Sequence, residues 1–348
     1  MSYPNAAISF PGLFGEARFT LSPKLLDIGN GIYWYGVLIA AGLLIALWFC
    51  MKRSDRYGLT EDNVIDTALW SIPFAIVGAR AYYVLFYLDL FRNADGSIAW
   101  GETYRIWDGG LAIYGGIIGA FLTAWIVCRI KKLPFLAMTD CAVAGFFIGQ
   151  SIGRWGNFFN REAFGSMTDL PWRMRLWLSE SYYVDVHPTF LYESLWNFVG
   201  LLLLCLVVDK ARRFDGENTC FYFLWYGAGR FWIEGLRTDS LYLFDLTLFG
   251  ERVRVSQALS LVVVLTAAAV LIVRRKADPT QMFVHRKAAE AVTILPAEGG
   301  AAEAEGAQDE SPAEGAQPES AGEPAEQSAA AEASAEAVEP AEETQPLS

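Results

Sequence analysis

Apolar runs of roughly 20 residues recur along this chain, and no other feature limits its folding so severely. As a helix, a run of that length crosses a hydrocarbon core about 30 Å thick. Within such a core each segment must satisfy its own backbone polar groups, which leaves a bundle of helices as the workable solution. Seven spans are expected, near 31–51, 64–88, 110–128, 135–155, 188–208, 219–236 and 255–273. The chain is read as an all-α integral membrane protein.

The short connections set an orientation. Lys52, Arg53 and Arg56 follow the first span, Arg129, Lys131 and Lys132 the third, Lys210, Arg212 and Arg213 the fifth, and Arg274, Arg275 and Lys276 the seventh. The positive-inside rule puts all four groups in the cytoplasm, the N-terminus outside and the C-terminus inside. Residues 1–30 form an outer or interfacial segment, 31–273 the membrane domain, and 156–187 a small extracytoplasmic cap. No basic segment followed by a short apolar core opens the chain, so no cleaved signal peptide is expected.

The net charge of -12 describes one part of the chain only. Of 39 acidic residues, 15 lie after Lys287, where Lys and Arg are absent; the remainder carries 27 basic residues against 24 acidic. Residues 274–348 are a basic juxtamembrane stretch followed by an Ala-, Glu- and Pro-rich tail that buries too little apolar surface to order itself. Nothing in this pattern points to nucleic acid. The five cysteines show no metal-ligand spacing and fall in the cytoplasmic half, so they read as small buried hydrophobes.

The topology gathers scattered polar residues at one depth. Tyr35, Arg80, Tyr114, Arg154, Asn157, Glu162, Glu193, Arg230, Glu234 and Arg237 all fall in the outer half of the bundle or at its edge. Charge inside a membrane costs about 2.5–3.5 kcal/mol per residue on insertion scales, so it serves a partner or a reaction. Arg154 carries a planar donor fork suited to phosphate, and Asn157 lies one turn along the same face. Blander readings exist. Arg80 could pair or snorkel for packing alone, and Arg230 with Glu234 could be a simple i, i+4 ion pair. Glycines 109, 110, 115, 116 and 119 could serve helix packing. Asp66 and Asp140 are the exceptions in the inner half.

The stretch Gly153-Arg154-Trp155-Gly156-Asn157-Phe158-Phe159-Asn160-Arg161-Glu162-Ala163-Phe164-Gly165 resembles the signature of bacterial prolipoprotein diacylglyceryl transferases. Supporting matches are Tyr33-Trp34-Tyr35-Gly36, Gly78-Ala79-Arg80 with Tyr83-Val84-Leu85-Phe86, and Trp107-Asp108-Gly109-Gly110 with Gly115-Gly116. His187-Pro188, Leu191-Tyr192-Glu193 and Arg230-Phe231 with Glu234 and Arg237 complete the set. The resemblance implies a multi-pass enzyme of the bacterial cytoplasmic (inner) membrane that works toward the outer leaflet among membrane lipids. Such an enzyme transfers the diacylglyceryl group of phosphatidylglycerol to the lipobox cysteine of prolipoproteins and releases glycerol phosphate. It implies Arg154, Arg230 and Tyr35 as catalytic residues, and Tyr114 is a further catalytic candidate at a position where the pattern departs. Arg154, Asn157, Glu162, Gly165, Arg80, Glu234 and Arg237 would bind the phospholipid, with no metal or organic cofactor.

One position departs from the family pattern. Many members carry a histidine between the glycine pairs of span three, proposed as the base; here it is Tyr114. A tyrosine titrates near pH 10 against about 6.5 for histidine. Either neighbouring arginines depress Tyr114, or the base lies elsewhere, or none is essential; the acidity of the substrate thiol favours the last. A transporter of an anionic solute is the alternative reading, and it requires polar residues that continue into the inner half, broken helices and two related halves.

Overall fold

The computed structural model describes residues 3–276, apart from 4, 16, 30, 94, 239–241, 249 and 250. The expected disordered tail lies outside the described residues.

Among the described residues, seven long helices carry the fold. They are α1 (Trp34–Met51), α2 (Glu61–Phe86), α3 (Ile113–Ile130), α4 (Phe135–Asn160), α5 (Thr189–Leu203), α6 (Glu217–Leu236) and α7 (Val255–Lys276). Six are long and apolar enough to cross a membrane, with α5 extended to Val208 by one π-helical turn. The helix α6 lies outside that set by composition, for it carries Glu217, Arg230 and Glu234. Local signals explain several boundaries. The Thr60 hydroxyl accepts the Asn63 amide, with Glu61 and Asp62 in the first turn, where acids favour the helix N-terminus.

At the centre of the packing lies α4. Its most apolar stretch is 61% buried, against 11–28% for the other candidate spans. Two interlocks fix its neighbours. The Trp155 indole donates to the Ser194 hydroxyl at 3.2 Å, and that hydroxyl donates to the Ser151 carbonyl at 2.9 Å, joining α4 to α5. Trp196 and Trp225 stack at 4.5 Å and exchange indole-to-carbonyl hydrogen bonds of 2.8 Å each, joining α5 to α6. Elsewhere α2 and α3 meet almost backbone to backbone. A Cβ on Gly115 would stand 2.2 Å from the Gly78 carbonyl oxygen, and one on Gly119 2.4 Å from that of Phe74. At these positions glycine serves helix packing.

The N-terminal segment and the connection after α4, far apart in sequence, share one antiparallel sheet. Strand β1 (Ala7–Ser9) pairs with β2 (Met174–Trp177), which pairs with β3 (Tyr183–Val186). Ile8, Phe164, Met174, Leu176, Val186 and Phe190 form its buried core. Asp185 anchors the sheet, accepting from Arg175 through both oxygens at 2.7 and 2.9 Å and from Arg173 at 2.8 Å. Those arginines hold its carboxyl below the usual range.

At the end of the bundle away from this sheet, acids on the helices meet the basic loops. Asp209 takes Arg53 at 2.6 Å and Arg56 at 3.4 Å, Arg275 pairs with Glu217, and Lys131 pairs with Asp66. Asp140, fully buried in α4, accepts the backbone amides of Gly216 and Thr219 at 2.8 Å each and the Thr219 hydroxyl at 2.7 Å. It caps α6 from a neighbouring helix and satisfies amides that have no partner within α6.

Candidate functional site

The motif begins on the last turns of α4. Continued helix would carry Glu162 away from Asn157, but the chain reverses instead. Arg161 and Ala163 adopt φ of 47° and 55°, a left-handed conformation uncommon for residues other than glycine. Strain of this kind costs on the order of 1–3 kcal/mol per residue and persists where surrounding contacts enforce it. Arg161 supplies such contacts. It is 1% exposed and donates to the carbonyls of Phe159, at 2.6 Å, and Leu21, tying the N-terminal segment to the motif. The reversal brings Glu162 back, so that its Oε1 accepts from Asn157 at 3.0 Å and from Asn160 at 3.3 Å. Asn157 in turn accepts from Arg154 Nη1 at 3.4 Å.

Arg154 then reaches across to α5. Its Nη2 lies 2.5 Å from Glu193 Oε2. From α6, Arg230 Nη1 lies 3.4 Å from Glu193 Oε1, and Arg237 Nη1, just past the helix end, lies 3.7 Å from the same oxygen. Arg230 also pairs with Glu234 at 2.7 Å. The cluster follows from the two interlocks, since Trp155 and Ser194 are the chain neighbours of Arg154 and Glu193, and Trp225 lies little more than a turn before Arg230. Three guanidiniums therefore converge on one carboxylate that is 4% exposed. Glu193 is the residue to which sequence reasoning assigned no role. Its signal was a lone acid on an apolar helix face, legible as unusual but silent about its partners.

The other expected site residues sit around this cluster or away from it. The Tyr35 ring packs on Gly156, whose Cβ would stand 2.2 Å from it, beside Asn157. Gly165 is buried where three segments meet. Its amide donates to the His187 carbonyl at 3.0 Å, it bridges to Arg237, and an added Cβ would lie 2.7 Å from the Cβ of His187. His187 Nδ1 stands 3.2 Å from the Tyr192 hydroxyl, and burial pushes the ring below the usual histidine range.

Arg80 does not enter the cluster. Its guanidinium donates to the carbonyls of Glu102, Thr103 and Gly109 at 2.7 Å each and of Gly110 at 3.0 Å, folding the α2–α3 connection over its own side chain. Gly110, at φ 73°, leaves room for that guanidinium. Tyr114 lies on the α2–α3 pair, half exposed, with its ring 6.4 Å from that of Tyr82.

Converging forks of this kind, set in a partly buried site, can hold an anionic group and stabilise charge that develops on it. Comparison with known proteins points the same way. Residues 23–273 match the family model described as prolipoprotein diacylglyceryl transferase. A phosphatidylglycerol–prolipoprotein diacylglyceryl transferase of Finegoldia magna is 43% identical over 248 residues, covering 71% of this chain and 93% of that protein. Proteins of the same name from Lactiplantibacillus plantarum and Listeria monocytogenes are each 41% identical. They cover 76% and 75% of this chain, and 93% and 92% of their own lengths.

Proposed function

The chain belongs to the prolipoprotein diacylglyceryl transferase family, and from that premise we propose how its arginine cluster performs the transfer. The enzyme moves the diacylglyceryl group of phosphatidylglycerol to the lipobox cysteine of a prolipoprotein and releases glycerol phosphate. The observation that carries the reading is the meeting of Arg154 and Arg230, from separate helices, at Glu193, with distances of 2.5 and 3.4 Å.

Arg154 and Arg230, with Arg237 beside them, bind the phosphodiester and take up the negative charge that gathers on the leaving phosphate. Asn157 and Tyr35 orient headgroup oxygens, Glu162 holds Asn157, and Glu234 holds Arg230. Gly165 keeps the cap exit against the ends of α5 and α6, and Arg80 shapes the α2–α3 loop at the rim. The substrate thiol, with a pKa near 8.5, is already a few per cent thiolate at neutral pH, and nearby guanidiniums favour that form further. Its sulfur forms a bond to the glycerol carbon as the bond from that carbon to the phosphate oxygen breaks. The electron pair leaves on the phosphate, and the thiol proton passes to solvent or to that phosphate.

In this reading α6 is a seventh span despite its polar residues, and the cluster faces the outer leaflet of the bacterial cytoplasmic membrane. The sheet of β1–β3 forms the extracytoplasmic cap. The pairing of basic loop residues with acids on the helices at the far end supports that orientation. It also weakens the transporter alternative, because Asp66 and Asp140, the inner-half acids, are engaged by Lys131 and by the start of α6. The test is mass gain on a lipobox peptide incubated with purified protein and phosphatidylglycerol. A diacylglyceryl increment supports the reading, and an unmodified peptide with an intact, folded protein overturns it.

A further inference from the structure

Glu193 presents a problem for a phosphate clamp, because a buried carboxylate stands where the arginine forks converge. We propose that Glu193 is a positioning residue that sets the charge the site tolerates, admitting a phosphodiester and expelling the phosphomonoester product. This rests on the reading that the arginines bind the phosphatidylglycerol headgroup.

Among the described residues, the charged groups facing Glu193 are Arg154 from α4, and Arg230 and Arg237 from α6 and its end. Glu234 stands behind Arg230, and Tyr192 with His187 precedes Glu193 on its own segment. Two carboxylates thus oppose these guanidiniums before lipid arrives. Glu193 is buried and held through both oxygens, so it cannot swing out to solvent when an anion enters.

The two ligands differ in charge. A phosphodiester carries one negative charge. Breaking its carbon–oxygen bond creates a monoester whose second ionisation lies near pH 6, so at neutral pH it carries about 1.5–2 negative charges. The added charge meets Glu193 as a like charge at short range in a partly desolvated site, where repulsion is strong. Substrate and product share the arginine contacts, and Glu193 distinguishes them.

Wild-type protein supplies the first arm, using a soluble glycerophosphodiester and glycerol phosphate as competing inhibitors of peptide modification. The affinity for the monoester relative to the diester is expected to fall as pH rises through about 6. Glu193→Gln supplies the second arm. It should bind glycerol phosphate about tenfold or more tightly than wild type, with a smaller change in KM for phosphatidylglycerol and a lower kcat as product release slows. The ratio of wild-type to variant inhibition constants should widen above about pH 6. Glu193→Asp, which keeps the charge, should retain the wild-type trend, and direct binding of glycerol phosphate reads either variant if turnover is lost. A purely structural role would lower stability or kcat without changing the monoester preference with pH. A preference that is flat or rises with pH in the wild type, or an unchanged ratio in Glu193→Gln, overturns the proposal. If the wild-type protein leaves the peptide unmodified, the underlying reading fails instead.

Discussion

Arg154 Nη2 lies 2.5 Å from Glu193 Oε2, so the motif at the end of α4 is coupled directly to the acid on α5. Arg154→Ala removes a fork donor where phosphate charge develops. Turnover on a lipobox peptide should fall by about 10²–10³-fold, the loss typical for a preorganised donor. Arg154→Lys should recover only part of it, since an ammonium lacks the planar fork. Near-normal turnover in Arg154→Ala would remove the clamp role.

Tyr114 sits on the α2–α3 pair, beside Tyr82. Tyr114→Phe should therefore lower turnover by less than about tenfold, short of the 10²–10⁴-fold that a lost general base costs. Its rate–pH profile should match that of the wild type. A larger loss, or a shifted alkaline limb, would assign the proton transfer to Tyr114.

Gly165→Ala tests the junction of cap, α5 and α6. The new methyl would stand 2.7 Å from the Cβ of His187 and 3.0 Å from the Leu236 carbonyl oxygen. Overpacking of this kind costs about 1–3 kcal/mol. The melting temperature in detergent should drop and activity should fall with it; an unchanged melting temperature would show that the junction yields without cost.

Asp140 offers a contrast, since it caps α6 far from the arginines. Asp140→Ala leaves the amides of Gly216 and Thr219 without their acceptor and removes one of the contacts of the Arg212 guanidinium. Breaking a buried charged contact costs about 3–5 kcal/mol. Thermal stability should fall steeply, while the folded fraction keeps its KM for phosphatidylglycerol. A raised KM at normal stability would tie this end to lipid binding.

Asp185 gives the cap a pH dependence. The hydrogen bonds from Arg175, then from Arg173, depress its folded pKa. Its contribution is therefore fully present above the unfolded value of about 3.9 and is lost as pH falls through the lower folded value. Amide hydrogen exchange in β2 and β3 should rise in that acidic window. Asp185→Asn should show weaker protection at neutral pH and no such acid step.

Six candidate membrane spans and the basic residues of alternate connections were legible in the sequence, because each depends on the composition of a short segment. Arg154, Asn157, Arg230 and Glu234 could be singled out on that basis, and the spacing of Arg230 and Glu234 already implied their ion pair. Tertiary structure decided which of these residues meet. The same physics that made Arg80 conspicuous, an arginine within an apolar helix, is satisfied by the carbonyls of Glu102, Thr103, Gly109 and Gly110. It joined β1 to a hairpin more than 160 residues away and made Asp140 a cap for α6. It also turned Glu193 from a stray acid into the meeting point of three arginines. Such contacts depend on how each helix is rotated about its axis and where the Trp155–Ser194 and Trp196–Trp225 locks set its height. Those quantities belong to pairs of distant segments, and no single segment encodes them.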